Sequence, residues 1–337
     1  MVDTPIESVE ASVYTVPTDA PEADGTLSWD STTMVLVQAR AGSQCGTGWT
    51  YGSPACAGVV AGKLAAVVRG RDPMDTGDAF EAMVRAVRND GRPGAVRAEV
   101  PVYGSGGFTT YSEQQLHDQL SGWALEQRIP RVKIKVGESW GTAAGRDLKR
   151  MAQARKVIGE QTELFVDANG GYSRKQAIRV MAAAADLDVR WLEEPVSSDD
   201  LDGLREVRDA VQADVTAGEY GYDLAYFRRM CAARAVDCLQ ADVSRCGGIT
   251  EWLRAAAVAA SYRLQVSGHC APHLHAAAAT AVTNLRHLEW FHDHVRIEKM
   301  FFDGALDPAG GTIRPDPGAP GLGLTLRTSD AERYQAQ

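Results

Sequence analysis

The stretch "PRVKIKVGE", residues 130–138, sets Val132, Ile134 and Val136 in alternation with Lys133 and Lys135. A period of two is that of a β-strand whose faces meet different surroundings. The ordinary version is a half-exposed antiparallel strand with its lysines in water. The rest of the chain points elsewhere. From about Glu99 onward, short apolar strands alternate with helical stretches, which is the signature of parallel β/α units. Eight strand candidates recur: "EVPVYG", "RVKIKVG", "LFVDANG", "VRWLEEP", "VTAGEY", "CLQADVS", "LQVSGH" and "HLEWF". Helical stretches such as "RDLKRMAQARKVIGE" and "ITEWLRAAAVAASY" fill most of the gaps. Eight such units close into a barrel, and inside a barrel the lysines face the lumen while the aliphatics face the outer helices.

The 337 residues suit one barrel of about 250 residues plus a smaller module. Residues 1–98 read as an α+β capping domain, with loops near 18–30 and 45–55 placed to lid the barrel. Residues 99–300 read as the barrel, and the Gly/Pro-rich segment 301–337 as a tail returning toward the cap. With 35 Lys+Arg against 44 Asp+Glu and no basic run, neither nucleic acid nor an anionic membrane is an expected partner. The N-terminus lacks the basic and apolar regions of a signal peptide, and no stretch of ~18 apolar residues appears, so a cytoplasmic location is expected. Six cysteines without CxxC or zinc-type spacing read as reduced thiols, with Cys270 placed beside a histidine of interest.

In such barrels the chemistry lies at the C-terminal strand ends. Those ends carry Lys133 and Lys135, Asp167 with Asn169, Glu193 with Glu194, Glu219, Asp242, His269 and Glu289. Asp167, Glu193 and Glu219 are spaced by 26 residues each time, one β/α unit, which returns the chain to the same level on neighbouring strands. Three carboxylates at one level suit a hard divalent cation such as Mg²⁺. The paired lysines are expected to depress each other's pKa toward that of a usable base. Asp242 is placed to orient His269 as an acid/base group on the opposite wall. His273, His275, His292 and His294 are assigned structural places.

The ordered set "KIK", "DANG", "LEEP", "GE", "QAD", "SGH" and "LEW" resembles the enolase superfamily, in particular its mandelate racemase/muconate lactonizing subgroup. The resemblance implies a modified (β/α)7β barrel of the TIM type under an α+β cap. It also implies Mg²⁺ on Asp167, Glu193 and Glu219, and abstraction of the proton α to a carboxylate to give an enediolate. Lys135 would be one base with Lys133 beside it, His269 paired with Asp242 the acid or base opposite, and Glu289 a hydrogen-bond partner of the developing oxyanion. Glu193 is preferred to Glu194 as ligand because alternation would turn Glu194 away. The expected reaction is dehydration of a sugar acid, with racemisation or epimerisation, cycloisomerisation, or a silent binding subunit as alternatives. The partner is then a small carboxylate, in a homo-oligomer from dimer to octamer. The lid loops, with Glu22, Asp24 and Asp30 and the aromatics Trp29, Trp49 and Tyr51, together with Asn169, would meet a polyhydroxylated substrate. Relatives carry a further helix before the first barrel strand, where "GRPGAVRAEV" here passes almost directly from cap to barrel. A shortened joint or a missing stretch is therefore expected near Gly94 to Ala98.

Overall fold

The structure, a computed structural model, describes residues 4–76, 79, 82–83 and 97–335. Most of the joint expected near Gly94 to Ala98 lies outside the described residues.

Three long strands open the chain: β1 (Ser8–Ala23), β2 (Ser28–Ala41) and β3 (Gln44–Tyr51), an antiparallel sheet in that order. The two stretches read as lid loops are largely strand. β1 continues to Ala23 with a register shift between Pro17 and Glu22, and the turn is confined to Asp24–Leu27, where Asp24 Oδ1 accepts from the Thr26 and Leu27 N–H groups. The 45–55 stretch is mostly β3, whose glycines are tolerated because it is a sheet edge. The hairpins thus reach the barrel as stiff ribbons.

The eight sequence-read strands all form: β4 (Val100–Gly106), β5 (Arg131–Lys135), β6 (Glu163–Asp167), β7 (Val189–Glu193), β8 (Asp214–Ala217), β9 (Cys238–Ala241), β10 (Gln265–Gly268) and β11 (Leu285–Phe291). Each pairs in parallel with the next, and β11 pairs with β4 to close the barrel. Register places the lysines. Lys133 lies opposite Phe165 and Lys135 opposite Asp167, while Phe165 lies opposite Trp191 and Asp167 opposite Glu193. Val132 and Ile134, on the other face, are fully buried in the large aliphatic core under the helices.

Inside the barrel, Tyr103, Phe165, Trp191 and Cys238 form a separate apolar layer, with ring centroids 5.4 Å apart from Tyr103 to Phe165 and from Phe165 to Trp191. This layer is the floor on which the polar residues stand. Removing water beneath them lowers the local dielectric and strengthens every charge interaction above.

Cap and barrel are joined through Glu298, fully buried on the helix His292–Phe301. It accepts from Trp49 Nε1 and Tyr51 Oη, both at 3.3 Å, and pairs with His273 Nδ1. At the other end of the chain, Phe302–Asp303 pairs with Thr325–Leu326, and Gln335 bridges to Tyr14 of β1. No helix among the described residues is long and apolar enough to cross a membrane.

Candidate active site

The strand ends bring the sequence-read polar residues to one mouth, where a cavity of about 350 Å³ opens between barrel and cap. Lys135, Asn169, Glu219, Asp242 and His269 line its barrel side, and Trp29 and Tyr51 its cap side. Trp49 is not among the lining residues. It stacks on Phe302 with ring centroids 4.5 Å apart; Trp49 and Tyr51 share one face of β3 and both reach Glu298, and only Tyr51, two residues further along the strand, lines the mouth. The substrate role expected of Trp49 is corrected accordingly to a packing role.

Lys133 is fully buried, its Nζ 2.5 Å from Glu193 Oε1, 2.7 Å from Glu289 Oε1 and 3.1 Å from Asp167 Oδ2. Lys135 Nζ lies 2.6 Å from Asp167 Oδ2 and donates to Asn169 Oδ1 at 3.1 Å. The expected depression of the lysine pKa values is therefore wrong in sign. Burial pushes each one down, with the Lys133 ammonium adding to it at Lys135, but Glu193 and Glu289 around Lys133, and Asp167 beside Lys135, hold both above the usual lysine range.

The three candidate ligands lie at the ends of neighbouring strands, and Asp167 feels the charge of both Glu193 and Glu219. Asp167 and Glu193 are engaged by the lysine ammonium groups, and Glu219 by Arg245 and His269. Among the described residues, the groups with ligand atoms mutually within 4.8 Å are His269–Cys270–Glu289 and Asp19–Glu22–His292, not this triad. The donor set nevertheless fits a hard cation on two observations. Glu194 Oε1 is buried without a hydrogen-bond partner, and all the donors are carboxylate oxygens. Glu194 departs from expectation. Its backbone is left-handed, at φ 37°, so strand alternation ends at Glu193, and the buried Glu194 carboxyl is raised well above the usual range by burial and by Glu219, Asp167 and Glu193.

On the opposite wall His269 Nδ1 lies 2.8 Å from Asp242 Oδ2 and Nε2 lies 3.1 Å from Glu219 Oε2. Burial alone would lower the imidazole pKa, but the acidic groups around it, Glu219, Glu289 and Asp242 among them, hold it well above the usual range and favour the protonated ring. Glu289 accepts from Ser105 Oγ at 2.6 Å and from the Cys270 N–H at 2.9 Å, besides its pairing with Lys133. Burial would raise its pKa, yet Lys133 and His269 pull it well below the usual range. In this arrangement Glu289 anchors the Lys133 ammonium.

Residues that the strand-end reading passed over complete the site. Arg245 Nη1 lies 3.2 Å from Glu219 Oε1, its Nε 3.6 Å from Asp242 Oδ2, and its guanidinium 5.3 Å from the Tyr220 ring centre. It stands three residues after Asp242, a spacing open to inspection. Ser105 follows from inward parity with Tyr103. His294, assigned a structural place, lines the cavity and stacks on Tyr51 with centroids 3.5 Å apart. His292 pairs with Asp19 at 3.0 Å, while His273 and His275 bond to Glu298 and to the Val243 N–H inside the protein.

Glu22, fully buried, accepts from Trp29 Nε1 at 2.7 Å. Burial, with Asp293 nearby, pushes its carboxyl up to about 9. The folded protein therefore keeps a proton that the unfolded chain releases near the ordinary Glu value, and stability falls as pH rises between the two values. Glu22→Gln is expected to be more stable than wild type at pH 8 by roughly 3–4 kcal/mol, and to converge with it near pH 5. Urea midpoints at the two pH values check this, and parallel curves would remove the assignment.

The Enolase C-terminal domain-like family model matches residues 115–331. The chain belongs to the enolase superfamily. Within it the relatives place the chain in the mandelate racemase/muconate lactonizing group. A solved mandelate racemase/muconate lactonizing enzyme-like protein from Rubrobacter xylanophilus is 46% identical, with TM-score 0.92 over 98% of this chain and 100% of that one. Arabinonate dehydratase of Saccharolobus solfataricus is 27% identical over 257 residues, 72% of this chain and 66% of that protein. L-talarate/galactarate dehydratase of Salmonella typhimurium is 29% identical over 218 residues, 63% of this chain and 54% of that protein. The matched stretches thus span less than two thirds of these curated relatives. The Salmonella enzyme liganded with Mg and L-lyxarohydroxamate superposes with TM-score 0.87 at 22% identity, over 99% of this chain and 93% of that one, a likeness of fold.

Proposed function

We propose that this enolase-superfamily chain removes the proton α to the carboxylate of a sugar acid and dehydrates it to a 2-keto-3-deoxy acid. The observation that carries this reading is the pair of acid/base groups, Lys135 and His269, on facing walls of one cavity. Asp167, Glu193 and Glu219 would hold Mg²⁺, with Glu194 within the same acidic group. Bound there, the ion would neutralise the substrate carboxylate and favour the enediolate.

Lys135 is an ammonium while Asp167 is fully available to it, and becomes the base once that carboxylate shares its charge. It then takes the α-proton. His269, charged in the resting site, gives its proton to the β-hydroxyl, which leaves as water, and the enol that remains tautomerises to the keto acid. Asp242 holds the imidazole through Nδ1, so that Nε2 is the atom presented to the cavity side.

A library of sugar acids with Mg²⁺ in deuterated solvent tests the reading. Keto-acid formation that stops on chelation supports it. Deuterium exchange with epimer and no keto acid would replace dehydration by racemisation. Neither signal across the library would sink it.

A further inference from the structure

The cap wall of the cavity carries a pattern that bears on substrate class. Except for Thr33, each of its side-chain donors has its proton committed to an acidic side chain. Trp29 Nε1 donates to Glu22 at 2.7 Å, Ser31 Oγ to Asp30 at 3.1 Å, Thr32 Oγ1 to Asp293, and Tyr51 Oη to Glu298 at 3.3 Å. Thr33 Oγ1 pairs with Thr15 Oγ1 at 3.0 Å. A hydroxyl has one proton, so once it is given to a carboxyl only lone pairs remain for a ligand. His294 leaves a single donor, Nε2–H, because its Nδ1 accepts the Ala271 N–H and burial pushes the ring pKa down to about 3, keeping it neutral.

The cations of the cavity stand on the other wall. Lys135, Arg245 and His269 are each paired with Asp167, Glu219 or Asp242. Among the described lining residues, none on the cap side is cationic. A carboxylate is acceptor-only and needs donors or cations, whereas a sugar hydroxyl can give its proton to an acceptor wall.

Resting on the dehydratase reading for the orientation of the ligand, we infer that the site is built for monocarboxylic sugar acids. The single carboxylate lies at the barrel strand ends, and the hydroxylated tail donates hydrogen bonds to the acceptor wall made by Ser31, Thr32 and Tyr51. Sugar diacids are disfavoured because their second carboxylate would meet that wall unpaired. The cost of an unmatched charged group on an acceptor surface exceeds tenfold in affinity.

The test uses the Mg²⁺-loaded wild-type protein and stereochemically matched pairs: galactonate with galactarate, gluconate with glucarate, arabinonate with arabinarate. Titration calorimetry gives affinity and a keto-acid assay gives turnover. Binding of a monoacid at least tenfold tighter than its diacid partner is the expected result. That preference without turnover of any acid would keep this inference and overturn the dehydratase reading. A diacid that binds as tightly as its partner, or more so, overturns the inference, and its dehydration would leave the reaction assignment standing. Absence of binding in every pair also overturns the inference.

Discussion

Lys135→Met abolishes both α-proton exchange and keto-acid formation, while His269→Asn keeps exchange and loses product. That is the expected outcome if Lys135 takes the proton and His269 expels the β-hydroxyl. Each change removes a general acid or base, an effect on the order of 10²–10⁴ in rate. Because His269 also contacts Glu219 and Asp242, its loss falls toward the upper end of that range. The two readouts separate the roles. Exchange kept in Lys135→Met and lost in His269→Asn inverts the assignment, and full product formation by His269→Asn leaves the dyad with a structural role alone. Asn suits the His269 change because its amide can still meet Asp242 without supplying a titrating group.

Lys133→Met produces the larger effect on stability. Its ammonium is the common partner of Glu193, Glu289 and Asp167, and it is fully buried. Methionine preserves the volume and removes the charge, which leaves those carboxylates without their shared cation in a site floored by aromatic rings. Breaking a buried ionic set in this way costs about 3–5 kcal/mol. Mg²⁺ should restore more stability to Lys133→Met than to wild type, since two of the orphaned carboxylates, Asp167 and Glu193, belong to the candidate ligand set. Chemical denaturation with and without Mg²⁺ measures both quantities. An unchanged midpoint would show that the lysine carries little of the site's electrostatic balance, and equal Mg²⁺ responses would separate Lys133 from the metal site.

The barrel is legible in the sequence because alternation is a local property. Once Val132 and Ile134 are assigned to the helix side, Lys133 and Lys135 have one place left, and the same parity brings in Asp167, Glu193 and Ser105. What escapes depends on backbone or on distance. The left-handed turn at Glu194 ends the alternation on which its exclusion rests. The sign of the lysine pKa values depends on carboxylates 32 and 60 residues away in sequence, which no local pattern weighs against burial. The destination of Trp49 is set by Phe302 and Glu298, on a segment whose path the sequence leaves open. The cap hairpins resemble loops in sequence because Gly, Pro and Asp punctuate them, although their partners along β2 keep them in a sheet.

The buried carboxylate of Glu298 bears on how such proteins diversify. Two of its partners, Trp49 and Tyr51, belong to the hairpin that walls the cavity, and the third, His273, belongs to the barrel. A chimera that grafts a relative's cap onto this barrel would strand Glu298 beside unmatched side chains, at the cost that any buried orphan acceptor carries. Recombination of caps and barrels is therefore constrained by a polar rivet as well as by surface fit. Single substitutions along β2, at Ser31 or Thr32, leave the rivet intact and offer the shorter route to a new ligand preference.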